Sequence, residues 1–390
     1  MNQLGRYFKE NIRQNGMVMA LILIMVLFQV LTHGILFRPM NVNNLVLQNA
    51  YVLILATGML LCILTGNIDL SVGSVVAFVG AIASVMMVDW GISVGVTIFA
   101  ALLIGVAVGA FHGYFIAYWR IPAFIVTLAG MLIWRGLTMV ILKGQTKSPF
   151  AKSFQAIAAG YLPGREVRIG EYNIVALVFG LVLSLILIFM VLRSRKNKGK
   201  YGFEVLPLWI EGIKIVFLIL VVNLLTFSLA KYNGIPIMLL LLIFLISLYT
   251  FITQRTIFGR HIYALGGNEK AAKLSGVKTK RVMFLVYTNM GMLAALAGLV
   301  VAGRLNAATP KAGNMFELDA IASCFIGGAS ASGGIGTIIG AIVGGLVMGV
   351  LNNGMSIMGV SVDWQQAIKG LVLLGAVFFD VVTKSRNQGN

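Results

Sequence analysis

Residues 92–118 read ISVGVTIFAALLIGVAVGAFHGYFIAY, 27 positions without one Asp, Glu, Lys or Arg. An α-helix needs ~20 apolar residues to cross ~30 Å of hydrocarbon, since each backbone N–H and C=O must find its partner inside the segment. This run meets that requirement and is too long for a strand. Comparable blocks occupy residues 17–37, 45–64, 174–192 and 213–229. Over the 390 residues, 59% are hydrophobic, 11% are charged and the mean hydropathy is +0.95. Soluble domains carry about 25% charged residues, so this chain could not cover a water-exposed surface. The sequence therefore specifies an all-α, polytopic transmembrane bundle and leaves no room for a sizeable soluble domain.

Working outward, twelve hydrophobic segments emerge, near 17–37, 45–65, 74–88, 92–118, 124–142, 174–192, 210–229, 236–252, 283–303, 318–331, 335–357 and 365–383. They correspond to ten to twelve true spans, some short or broken. One membrane domain covers 17–383, between a cytoplasmic segment at 1–16 and a cytoplasmic tail at 384–390. The net charge of +18 has a side: 18 of the 30 Lys/Arg fall in the termini and in loops that alternate counting places together. That is the positive-inside pattern, which puts both termini, the basic loop 193–200 and the loop 253–282 in the cytoplasm and explains the charge through anionic lipid rather than nucleic acid. The region 143–172 runs against it, carrying Lys143, Lys147, Lys152, Arg165 and Arg168 on the opposite side. Cys62 and Cys324 stand alone in apolar stretches, without a disulfide or metal-binding spacing.

Segments 74–88 and 318–331 are too short to span comfortably, and each adjoins a polar or glycine-rich interruption, at 66–73 and 327–336. Irregular backbone at membrane depth survives only where it is buried in protein or lines a cavity, and paired interruptions point to a solute route. Gly105, Gly109 and Gly113 recur every fourth residue, the spacing that lets two membrane helices approach closely. Gly334-Ile335-Gly336-Thr337 is not a nucleotide loop, because no strand precedes it and no G-x-x-x-x-G-K-[ST] occurs anywhere.

The loop after the eighth segment contains Gly259-Arg260-His261-Ile262-Tyr263-Ala264-Leu265-Gly266-Gly267-Asn268-Glu269-Lys270-Ala271-Ala272-Lys273-Leu274-Ser275-Gly276-Val277. Its second half reads as a short helix: Asn268 is a good N-cap, Glu269 suits the positive N-terminal end, and Gly276 suits the left-handed position after the last turn. Ala271, Leu274 and Ser275 share one face. Such a helix is too short to persist alone. It is either a connector on the lipid surface or a docking helix.

That stretch resembles the coupling segment of permease subunits from bacterial ABC monosaccharide importers, the ribose, xylose, arabinose and galactose type. Four further stretches match the same family in order: residues 68–74 (IDLSVGS), 121–131 (IPAFIVTLAGM), 317–322 (ELDAIA) and 351–354 (LNNG). The resemblance is to the longer xylose or multiple-monosaccharide permeases, with an added pair of spans near 174–229. It implies a second permease copy, cytoplasmic ATPase subunits that hold ATP and Mg, and a periplasmic sugar-binding protein. The chain itself would then be a transport subunit, not an enzyme, with no cofactor of its own. Asn268, Glu269, Ala271, Ala272, Leu274, Ser275 and Gly276 would form the ATPase-coupling helix. A neutral, hydroxyl-rich sugar needs amides, hydroxyls and aromatic faces. Asn67, Ser71, Asn352 and Asn353 are candidates, though each could equally satisfy a neighbouring helix. Phe124 and Trp134 could face sugar or lipid. Asp69 is read as the cap of the short helix after it, and His112 as a packed histidine. The competing readings are an ion-coupled secondary sugar transporter and a scaffold or channel with no energised cycle.

Overall fold

A computed structural model describes residues 12–202 and 207–388, with side chains from 16 to 202 and from 207 to 378. Fifteen α-helices and one two-stranded hairpin are present among them. The first five helices are α1 (Ile12–Leu31), α2 (Pro39–Leu64), α3 (Val72–Ser84), α4 (Val94–Ala117) and α5 (Ala123–Leu142). After α6 (Lys152–Ala159) and the hairpin β1 (Arg168–Ile169) and β2 (Tyr172–Asn173) come α7 (Ile174–Lys200), α8 (Leu208–Ala230) and α9 (Ile237–Arg255). The chain then forms α10 (Ile257–Gly267), α11 (Glu269–Leu274), α12 (Thr279–Leu305), α13 (Phe316–Ile326), α14 (Ile338–Ile357) and α15 (Val362–Gln388). Each of the twelve hydrophobic segments coincides with a helix. Among the described residues, nine of these are long and apolar enough to cross a membrane.

The structure corrects several boundaries. Segment 74–88 is not short: α3 continues through a π-helical turn at Val85–Asp89, so the run Val72–Asp89 reaches 18 residues. Segment 318–331 does stay short, as the 11-residue α13. The basic stretch 193–200 is no loop but the last turns of α7, where Arg195 pairs with Glu211 at the start of α8. Most of 253–282 is helical as well, because α10 precedes the expected short helix. Of the terminal segment 1–16, residues 12–16 already belong to α1 and the rest lie outside the described residues. At the other end, α15 runs on to Gln388, and residues 389–390 of the tail lie outside them.

Glycine explains how the bundle closes. The Gly105, Gly109 and Gly113 stripe of α4 lies against α12, where a Cβ on Gly291 would sit 2.6 Å from the Gly109 Cα. A Cβ on Gly298 would likewise sit 2.6 Å from the Val76 carbonyl of α3. With α2 packed on a third side, α12 becomes the central post, buried along most of its length. By contrast α7 and α8 lean mainly on each other at the edge, share a small cluster around Ala176, Leu229 and Ala230, and turn most of their apolar side chains outward. This is what a lipid-facing pair should show.

Region 143–172 is folded rather than a bare loop. The side chains of Phe154 and Ala158 on α6 press against Gly303 of α12. Three of its five cations are engaged locally: Lys147 pairs with Asp89, Arg165 bonds Asn233, and Arg168 donates to the Tyr232 carbonyl at 2.5 Å.

Replacing Gly109 with Leu forces α4 off α12 and should cost about 1–3 kcal/mol, the usual penalty of overpacking. Gly136→Ala, where a Cβ meets nothing within 4 Å, should leave stability unchanged or slightly raised. Thermal unfolding in detergent checks both, and equal melting temperatures for the two variants would contradict this packing.

Candidate functional site

The short helix forms where the sequence places it. The Asn268 side chain accepts a hydrogen bond from the Ala271 N–H at 3.0 Å, and Gly276 takes φ +85°. Thr256 caps α10 in the same way through the Gly259 N–H at 3.1 Å. On α11, Ala272 is buried against the bundle. Ala271, Leu274 and Ser275 face away from it, and Leu274 is 91% exposed; Asn268, Glu269 and Gly276 are exposed as well, Asn268 and Glu269 toward a recess beside the helix. A leucine held this far out by a well-capped helix is an unfilled contact.

α10 is tied to both interruptions of the bundle. The Tyr263 hydroxyl donates to the Gly336 carbonyl at 2.7 Å, and the Gly334 N–H donates to the Leu64 carbonyl at 2.9 Å. Burial raises the Tyr263 pKa, so the hydroxyl remains a donor at physiological pH. Gly66, Gly266, Gly267, Gly333 and Gly334 meet at this point. A Cβ on Gly333 would lie 2.9 Å from the Gly66 nitrogen and 3.0 Å from the Gly266 oxygen. Gly66, Gly333 and Gly334 have φ of +77°, +81° and +72°, which side chains with a Cβ rarely adopt. One glycine knot therefore joins the break before α3, the break before α14, and the helix pair outside them.

The first break is held by a directional chain of polar groups. Asp69 Oδ1 accepts from the Ser71 N–H at 2.8 Å and from Ser71 Oγ at 2.6 Å. Ser71 Oγ lies 3.3 Å from His112 Nδ1, and Trp134 Nε1 donates to His112 Nε2 at 3.0 Å. An indole N–H can only donate, so His112 Nε2 carries no proton. Its proton therefore sits on Nδ1 and points to Ser71, whose own proton points to Asp69. Asp69 thus does not cap α3 as the sequence suggested. It braces the residue before the helix, because Ser71 has turned its hydroxyl toward the acid and away from the α3 N-terminus, where it makes no cap. Sequence reading missed the links from Ser71 to His112 and from His112 to Trp134. No local signal marks partners 41 and 22 residues apart.

The short α13, which leads into the second break, carries its own buried acid. Asp319, in the first turn of α13, accepts from the Tyr51 hydroxyl at 3.0 Å and pairs with Lys369 of α15 at 2.9 Å. The Tyr51 ring stacks on Phe316 at 3.8 Å. The link before α13 meets α3 directly, since a Cβ on Gly73 would collide with the Gly313 carbonyl and the Glu317 carboxylate.

Of the six candidates for a solute path, only Asn67 lines the main recess, a space of about 970 Å³ beside α11. Asp69 and Ser71 are consumed by the chain just described. Asn353 exchanges two amide hydrogen bonds with Asn41, at 2.8 and 3.0 Å. Phe124 lies on an outward face, 59% exposed. Asn352 has a buried Oδ1 without a hydrogen-bond partner among the described residues.

A lipid-embedded bundle whose broken helices meet, next to a short exposed helix mechanically joined to them, is the architecture of a transport permease. Comparison makes the class specific. The family described as "Branched-chain amino acid transport system / permease component" matches residues 41–377, and the chain belongs to it. Xylose transport system permease proteins are similar over nearly full length: that of Haemophilus influenzae at 37% identity, covering 96% of this chain and 98% of the relative, and that of Escherichia coli K12 at 39%, covering 97% and 94%. The ribose import permease protein of Escherichia coli K12 is 35% identical, covering 96% of each chain. No solved structure matches.

Ser71→Ala removes the middle of the polar chain and leaves His112 and Asp69 each short of a partner, at a cost of about 1–3 kcal/mol. Ser74→Ala is the control, because the buried Ser74 hydroxyl has no partner among the described residues. Melting temperatures of the two purified variants should separate clearly.

Proposed function

We propose that this chain is the membrane-spanning permease of an ATP-driven importer for a monosaccharide, xylose or a related pentose or hexose. The family description speaks of amino acids, but the relatives that match from end to end are sugar permeases. In this reading the chain lies in the bacterial inner membrane with both termini and α11 on the cytoplasmic side, the side that carries most Lys/Arg. It pairs with a second permease copy, takes sugar from a periplasmic binding protein, and sits on cytoplasmic ATPase subunits that supply ATP and Mg. The chain itself performs no hydrolysis.

The observation that carries this reading is the outward Leu274 face of α11, joined through α10 and the glycine knot to both breaks. A push on that face from a motor subunit is delivered to the two places where the helices are discontinuous. Asn268, Glu269, Ala271, Leu274, Ser275 and Gly276 form or frame the contact, and Ala272 anchors the helix to the bundle. Asn67, at the recess, and Asn352, with its unpaired acceptor, remain the amides best suited to a neutral sugar. The rival ion-coupled mechanism would need free carboxylates at depth. Asp69 and Asp319 are both occupied by hydrogen bonds that brace the fold.

Reconstitution with the ATPase and binding protein supplies the test. Leu274→Asp should cut sugar uptake at least tenfold while leaving the amount of protein in the membrane unchanged, and dissipating ion gradients should leave wild-type uptake intact. Uphill uptake by the chain alone, or uptake that stops when the gradients collapse, would overturn the proposal.

A further inference from the structure

The recess behind α11 has a charge that neither sugar passage nor the exposed Leu274 face accounts for. Five segments form its walls: the α2–α3 link, the α4–α5 turn, α10 with α11, the start of α12, and Ser332. Arg120, Lys270, Lys273, Lys278, Lys280 and Arg281 all line it, against one carboxylate, Glu269. Among the described residues none of these six cations has an ion-pair partner. Arg120 is kept in the turn at φ +55°, a conformation costly for any residue with a Cβ. The inner end is different in character, being formed by Thr65, Gly66, Asn67 and the apolar Ile116 and Met283.

Charges that merely orient a chain in the membrane need not converge. Here cations from three separate segments surround one concavity, where a bound anion would relieve their mutual repulsion. At about 970 Å³ the space matches the upper range of small-molecule sites. The two faces of α11 also have different owners. Glu269, Lys270 and Lys273 line the recess, whereas Ala271, Leu274 and Ser275 do not, so a motor subunit seated on Leu274 would leave the recess behind it.

We propose that this recess binds an organic phosphate: its phosphate is held among Arg120, Lys270, Lys273 and Lys280, and its neutral, hydroxyl-bearing part points inward to Thr65 and Asn67. The same chemistry is offered by a soluble sugar phosphate and by the headgroup of an anionic phospholipid. Either occupant would clamp α11 and the start of α12 to the α4–α5 turn, and so hold still the helix that a motor must move. The site stands whatever solute the chain carries.

The test uses the purified full chain alone in lipid nanodiscs, so its outcome is separate from that of the transport assay. In zwitterionic nanodiscs, calorimetric titration with inorganic phosphate and with ribose 5-phosphate should show binding that weakens as sodium chloride is raised, while unphosphorylated ribose shows no such salt dependence. Lys273→Ala with Lys280→Ala, two exposed side chains outside the bundle core, should weaken it at least tenfold with an unchanged melting temperature. In nanodiscs containing phosphatidylglycerol, loss of ribose 5-phosphate binding identifies the lipid headgroup as occupant, and retained binding identifies the soluble ester. If wild type and double variant take up ribose 5-phosphate equally weakly, and retain equal amounts of phosphatidylglycerol on extraction, the recess is no phosphate site.

Discussion

Everything in this molecule turns on what happens to backbone polar groups where a membrane helix stops short. In hydrocarbon, an N–H or C=O without a partner costs several kcal/mol, so a break inside the bundle must be closed by protein. The chain closes its breaks against one another. Gly334 donates to Leu64, Tyr263 donates to Gly336, and Gly333 abuts Gly66. Two discontinuities far apart in sequence become one irregular region, held by glycine backbones too close to admit side chains. Such a region has few packed side chains to rearrange.

Around that region the bundle is built rigidly. The post α12 meets α3 and α4 at glycine, and dispersion over such close contact replaces the hydrophobic driving force that lipid does not supply. The polar chain from Trp134 through His112 and Ser71 to Asp69 crosses from α5 to α4 to the first break, with each proton pointing one way. It fixes the start of α3 with every member satisfied, the condition under which buried polar groups strengthen a fold. Asp319, Tyr51 and Lys369 do the same for α13. Rigid helices thus flank the glycine region, and the pair α10 and α11 is tied to it.

The ends of the bundle differ for electrostatic reasons. At the end bearing α6, Lys147, Arg165 and Arg168 are matched to Asp89 or to neighbouring oxygens, and they bind surface segments together. At the end bearing α11, the six around the recess have no ion-pair partner among the described residues and stand beside an exposed leucine. Paired charge finishes a surface, whereas unpaired charge and bare apolar area at one place leave it ready for partners.

The sequence alone determined the membrane class, the twelve helical segments, the capped helix at 268–276 and the close-packing glycines, because apolar length, capping residues and i, i+4 spacing act within a few residues of themselves. It also marked the two interruptions as special. It misjudged what Asp69 does, it took Val72–Asp89 as short and 193–200 as a loop, and it overlooked α10. The first needed to know where Ser71 would point. The others needed to know that helices continue past their apolar stretches when neighbours or ion pairs such as Arg195 with Glu211 support them. Only the tertiary structure decided that Ser71 meets His112, that Asn353 spends its amide on Asn41, that the two breaks share one glycine knot, and that scattered lysines and arginines surround a single recess. Those facts depend on which helix faces which, and that is settled by close approach between segments up to hundreds of residues apart.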